Sequence, residues 1–144
     1  MSTRSVITFT EKFKTRDGSD KRNLLCTIYQ HEDGYIEGVG YDLANWLLKK
    51  KLCNGISMDP TLGEYANGVG CLVAQFIKNF KTEIGGLYIS YTGDRECYNY
   101  DVVIDEMETG SLDDLTTITV TRYDNDEPIF VGKPSELLKF VGNE

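Results

Sequence analysis

Proline and histidine are scarce in this sequence, and cationic side chains are outnumbered. Of 144 residues, 3 are Pro, 1 is His and 1 is Trp. Lys plus Arg total 15 against 23 Asp plus Glu, a net charge of −8. Affinity for duplex DNA or RNA comes largely from excess Lys and Arg, so direct binding to a phosphate backbone is not expected. No apolar run approaches the roughly 20 residues a membrane helix needs. Residues Met1 to Arg16 alternate and are polar, with no apolar segment of the kind a secretory signal carries. The reading is therefore a cytoplasmic protein without a membrane partner. The four cysteines, Cys26, Cys53, Cys71 and Cys97, form no C-x-x-C. With a single histidine a zinc site is poorly supplied, so no metal and no cofactor are expected. Reduced structural thiols are the expectation.

What is present suits one α+β domain over residues 1–144. Apolar residues make up 40% and aromatics 11%, which is enough for a core and too much for a disordered chain. Ser5 to Phe13 alternates, with Ile7, Phe9 and Phe13 on one face, and Leu24 to His31 is rich in β-formers. The polar Thr15–Asp20 turn between them predicts an antiparallel hairpin. Helices are predicted from about Tyr41 to Leu52 and from Val69 to Thr82. The second carries apolar residues at 69, 72, 73, 76, 77 and 80, a helical period. Leu87–Thr92 and Cys97–Asp105 flank Gly93-Asp94-Arg95-Glu96 and read as a second hairpin. Glu106–Leu115 reads as loop, and Thr116–Tyr123 with Pro128–Val131 as a third hairpin. Pro134 opens a short C-terminal helix. The whole predicts an antiparallel sheet with two similar central helices packed on one face.

Those two helices begin alike. Tyr35-Ile36-Glu37-Gly38-Val39-Gly40 aligns with Tyr65-Ala66-Asn67-Gly68-Val69-Gly70, a repeat with a period of 30 residues. Two matched glycine corners feeding helix N-termini suggest a pseudo-twofold pair. Gly38, Gly40, Gly68 and Gly70 then have two readings. Bare helix-start amides can approach a phosphate closely. Alternatively, the glycines let helices and sheet pack tightly. No third glycine and no G-K-[ST] follow, which excludes the dinucleotide and P-loop fingerprints.

Three further groups invite a functional reading. His31, Asp33, Tyr35 and Glu37 fall at alternate positions and would face one way on a continued strand. A histidine beside carboxylates suits acid–base work, so a small hydrolase using His31 with Asp33 or Glu37 is one alternative. Tyr88, Tyr91, Tyr98 and Tyr100 cluster, and Tyr98 and Tyr100 share a face; such rings stack on bases or finish the edge of a core. Arg95, Arg122 and Lys133 can supply local cations to a nucleotide despite the net charge.

The opening Met1-Ser2-Thr3-Arg4-Ser5-Val6-Ile7, with Tyr29, His31, Asp33, Gly34, Tyr35, Gly38 and Gly40, resembles a group of short phage and prophage proteins. That group opens with S-T-R-S-x-I and carries a Y-x-H-x-D-G-Y-x-x-G-x-G segment. This chain has Glu32 where the group usually has Trp. The resemblance covers the first ~45 residues and is a motif match. It implies viral origin and expression in a bacterial host cytoplasm, and no particular chemistry. Together these features predict a non-enzymatic counter-defence protein that sequesters a small nucleotide signal. Its ligand residues would be His31, Asp33, Tyr35, Gly38, Gly40, Gly68, Gly70, Tyr98, Tyr100, Arg95 and Arg122. The alternative partner is a host defence protein, on which the acidic chain docks and which it inhibits. A homo-oligomer, a dimer or higher, is expected because symmetric association is common.

Overall fold

A computed structural model describes residues 3–53, 64–90 and 95–142. The loop expected around Asp59-Pro60 and Gly63, Tyr91, and the Gly93-Asp94 turn lie outside the described residues. The chain is α+β, with antiparallel pairing dominant. The predicted first hairpin forms: β1 (Ser5–Lys14) pairs antiparallel with β2 (Asp20–Gln30), with one bulge between Phe9 and Thr10. The turn is tied by Asp17, whose carboxylate accepts from the Thr15 and Ser19 hydroxyls and from the Ser19 amide.

A π-helical turn (Ile36–Gly40) then feeds α1 (Tyr41–Leu48). The chain turns directly into β3 (Lys51–Cys53), so α1 ends short of the predicted Leu52. β4 (Tyr65–Asn67) leads into α2 (Gly68–Phe80), as the periodicity predicts. β5 (Leu87–Ile89), β6 (Tyr98–Asp105), β7 (Gly110–Ser111), the single turn α3 (Leu112–Leu115), β8 (Thr116–Arg122), β9 (Phe130–Gly132) and α4 (Pro134–Gly142) complete the chain. β7 and α3 stand where loop was expected. Ser111 caps α3, its hydroxyl accepting from the Asp113 amide, which is a local signal in the sequence.

The main sheet has six strands in the order β5-β2-β1-β6-β8-β9, and β3 sits between β4 and β7 in a three-stranded sheet. The second predicted hairpin is not formed. β5 pairs with β2 on one flank, while β6 crosses to lie parallel beside β1. The reason is burial. Tyr100, Val102 and Ile104 of β6 have no exposed surface, and only the sheet centre can cover all three. The third hairpin, β8 with β9, forms as expected.

The helices pack on one sheet face, and the other is only partly exposed, with Val6, Thr27 and Asn99 buried on it. Ile7, Phe9, Ile28, Tyr100, Val102, Ile104, Ile118 and Val120 point under the helices into one core. Phe76 of α2 is its hinge pin, with ring centroids 5.2 Å from Phe9, 5.3 Å from Trp46 and 4.5 Å from Phe80. On the opposite face Thr27, Thr8, Asp101 and Thr119 stand side by side across four strands. Threonine suits that position, since its branched carbon fits the pleat. The four cysteines are partly buried.

Candidate functional site

The predicted site residues divide between two ends of the sheet. At one end, the chain leaves β2 through His31, whose amide donates to Gly86 O at 2.9 Å. Asp33 then adopts φ +57°, the left-handed region, and breaks the alternation expected through Glu37. The backbone bonds that follow are internal: Gly34 N–H to Thr3 O (2.9 Å), Gly38 N–H to Tyr35 O (2.9 Å) and Val39 N–H to Asp33 O (3.0 Å). The Gly38 and Val39 amides of this helical turn are therefore engaged by the loop that precedes it.

Sterics explain both glycines of this corner. A Cβ on Gly38 would strike the Asp33 carbonyl oxygen, and one on Gly40 would lie 3.0 Å from Ile36 Cγ1 and 3.3 Å from Tyr100 Cε1. Gly34 is equally confined, with Ser5 Cβ 2.7 Å from its missing side chain. Tyr100 closes the corner from below. Its hydroxyl donates to Gly34 O at 2.7 Å and packs against Gly40. Burial first, then the neighbouring Tyr98 and the charge of Glu37, push its phenol far above the usual range. Tyr100 is a core residue.

The second glycine corner is elsewhere, and the pseudo-twofold pairing is not formed. Gly40 touches Tyr100 near the start of β6, whereas Gly68 lies beside Glu106, just past its end. Six residue steps along the strand separate Tyr100 from Glu106, about 20 Å. The two corners also differ in build. Gly68 has φ +84° at a strand-to-helix turn, whereas neither Gly38 nor Gly40 has positive φ. A Cβ on Gly70 would meet open space. The start of α2 already faces a carboxylate: Glu106 accepts the Val69 amide. The local sequence similarity encodes two glycine-opened helices without a common geometry.

The remaining candidates gather at the first end in two clusters. In one, His31 Nδ1 lies 3.0 Å from Tyr29 Oη, and the Tyr29 ring sits 6.0 Å from that of Tyr88. Tyr35 Oη donates to Asp33 Oδ1 at 3.4 Å, and the charge of Asp33 raises the Tyr35 phenol. Asp42 is raised as well, by burial first and by Asp33 second. In the other cluster, Arg95 Nη2 donates to Arg122 O at 2.7 Å, and the Arg122 guanidinium lies 5.5 Å over the Tyr98 ring. Tyr98 and Tyr100 stack at 6.5 Å on one face, as expected. Arg122 also pairs with Asp124 at 3.4 Å, and Lys133 pairs with Asp114 at 3.3 Å, away from this cluster.

Between β2 and the end of α2 lies a cleft of about 190 Å³, lined by Gln30, Glu32, Asp33, Phe80, Thr82, Glu83, Gly85, Gly86 and Leu87. Three carboxylates face it, together with the carbonyl end of α2, where the helix dipole is negative. The nearby cation, Lys81, is consumed by its own loop: Nζ donates to Gly85 O and Leu87 O, each at 2.8 Å. Sequence reasoning found Asp33 here and missed Glu32, Phe80 and Glu83. Gly85-Gly86 follows the end of α2. Their φ values of +87° and +80° are the signal that the chain doubles back over the helix end.

Among the described residues no group of three or more His, Cys, Asp and Glu side chains is placed to hold a metal ion. No described helix is long and apolar enough to cross a membrane. Comparison with protein-family models, with curated proteins and with solved structures found no match to this chain.

Proposed function

We propose that this chain is a non-enzymatic binding protein that docks through an acidic surface on a basic region of another protein. The single observation that carries this reading is the cleft at the end of α2. Glu32, Asp33 and Glu83 line it without a cation among them, and the chain as a whole carries a net charge of −8. Such a surface repels phosphate and attracts Arg and Lys. Long-range attraction raises the rate of encounter, and local carboxylates hold the complex in register. Binding rather than hydrolysis is supported at His31, which hydrogen-bonds Tyr29 and lies on an exposed strand end. The N-terminal resemblance to phage proteins supplies the setting: a viral protein that blocks a host defence protein in the bacterial cytoplasm. The test is pull-down of tagged protein from bacterial lysate at low and high salt. A discrete partner retained at low salt and released at high salt is the expected result. No enriched partner at either salt overturns the reading.

A second reading, sequestration of a small nucleotide signal, rests on the other cluster. Arg122 lies over Tyr98 with Arg95 alongside, and an aromatic ring with adjacent guanidinium groups offers a base a stacking surface and a phosphate a counter-charge. Calorimetry against cyclic dinucleotides and cyclic trinucleotides tests it. Heat of binding that disappears in Arg122→Ala supports it, and no heat with any of them removes it.

A further inference from the structure

The loop that follows α2 holds an apolar side chain out into water and is tied down while doing so. Ile84 is fully exposed, and Tyr88 and Ile89 on the adjoining edge strand are half exposed. Four hydrogen bonds fix the loop: Lys81 Nζ to Gly85 O and to Leu87 O, Leu87 N–H to Gly85 O and His31 N–H to Gly86 O. The Lys81 ammonium also lies 5.3 Å over the Tyr88 ring. An exposed isoleucine on a loose loop needs no explanation, because it can fold back. One on a loop fastened at both ends cannot. The same loop contributes Glu83 to the acidic cleft, with Glu32 and Asp33 opposite. A rigid apolar anchor beside a group of carboxylates is the arrangement of an interface centre with a charged rim.

Resting on the docking function proposed above, we infer that the Ile84–Ile89 corner is the contact surface, and that its partner is a basic protein segment alternating Arg or Lys with aliphatic residues. The aliphatic side chains cover Ile84 and Ile89, and a cationic side chain enters the cleft between Glu32, Asp33 and Glu83. Charge complementarity selects this occupant over a second copy of the chain, whose surface is also acidic. Lys81 and Gly85 already occupy the outward carbonyl and amide of Leu87, which closes that part of the β5 edge to an added strand.

The probe is a short synthetic peptide alternating Arg and Leu, titrated into isotope-labelled full-length protein and followed by amide chemical shifts. Shifts confined to residues 30–33 and 82–89 are expected. Ile84→Ser removes no buried contact, so it should leave the spectrum folded and weaken binding about tenfold. Glu83→Gln should weaken it and reduce its salt dependence. Binding elsewhere on the surface, or binding indifferent to Ile84→Ser, overturns this surface while leaving acidic docking in place. No binding by this peptide or by an Arg–Ser control overturns both. Self-association abolished by Ile84→Ser, measured by sedimentation, would assign the corner to a second copy and overturn the partner.

Discussion

Tyr100 shows at the scale of one residue how a site-like side chain becomes structural. Its ring is fully buried and its hydroxyl donates to Gly34 O, 66 residues away along the chain. Tyr100→Phe keeps the ring and strands the buried Gly34 carbonyl. A loss of about 1–3 kcal/mol is expected, read from urea unfolding. Sequence showed that Tyr98 and Tyr100 share a face. It could not show that the face is the covered one, since alternation marks two faces and names neither. The same limit applies to Gly38 and Gly40. A glycine pair is legible, but whether a missing Cβ makes room for a ligand or for Tyr100 depends on what tertiary packing puts there.

Elements are positioned by polar ties at their ends. Lys81 fastens the end of α2 to β5 through two carbonyls. Lys81→Ala frees both and uncovers the sheet edge. Hydrogen exchange should then accelerate at the amides of residues 86–90 and stay unchanged in β1 and β6, with a stability cost of about 0.5–1.5 kcal/mol. At the start of α2 the tie is a carboxyl pair. The hydrogen bond from Glu11, then burial and the Glu11 charge, raise Glu106 to about 7, and the same bond lowers Glu11. A carboxyl with a raised folded-state value binds its proton more tightly when folded. Its contribution is present at acidic pH and is lost as pH rises through about 7. Glu11 acts in the opposite sense, losing its contribution as pH falls through its lowered value. Thermal stability should therefore fall from about pH 5 to about pH 8, by less than about 1 kcal/mol because the pair is largely solvated. Glu106→Gln still offers an oxygen to the Val69 amide but cannot titrate, and its melting profile should be flat across that range.

For the whole molecule the decisive contact is the parallel pairing of β1 with β6, which joins Ser5 to Tyr98. Residues 5 to 98, about two-thirds of the 144, must close as a loop before that pairing forms. Closure costs entropy before burial repays it, so refolding by stopped flow is expected in the range of milliseconds to seconds rather than microseconds. Periodicity and turn chemistry by themselves determined most elements: the β1–β2 hairpin, the α2 stripe, β8 with β9, and α4 opening at Pro134. Composition determined that the surface is acidic and that one core can form. These are local or summed properties, and each residue carries its share of them. Only the tertiary structure decided that β5 and β6 part to different neighbours, that the two glycine corners sit at opposite ends of the sheet, and that Glu32, Asp33 and Glu83 face one cleft. Those outcomes depend on which apolar faces bury one another across long stretches of chain, a competition among distant segments that no short window of sequence records.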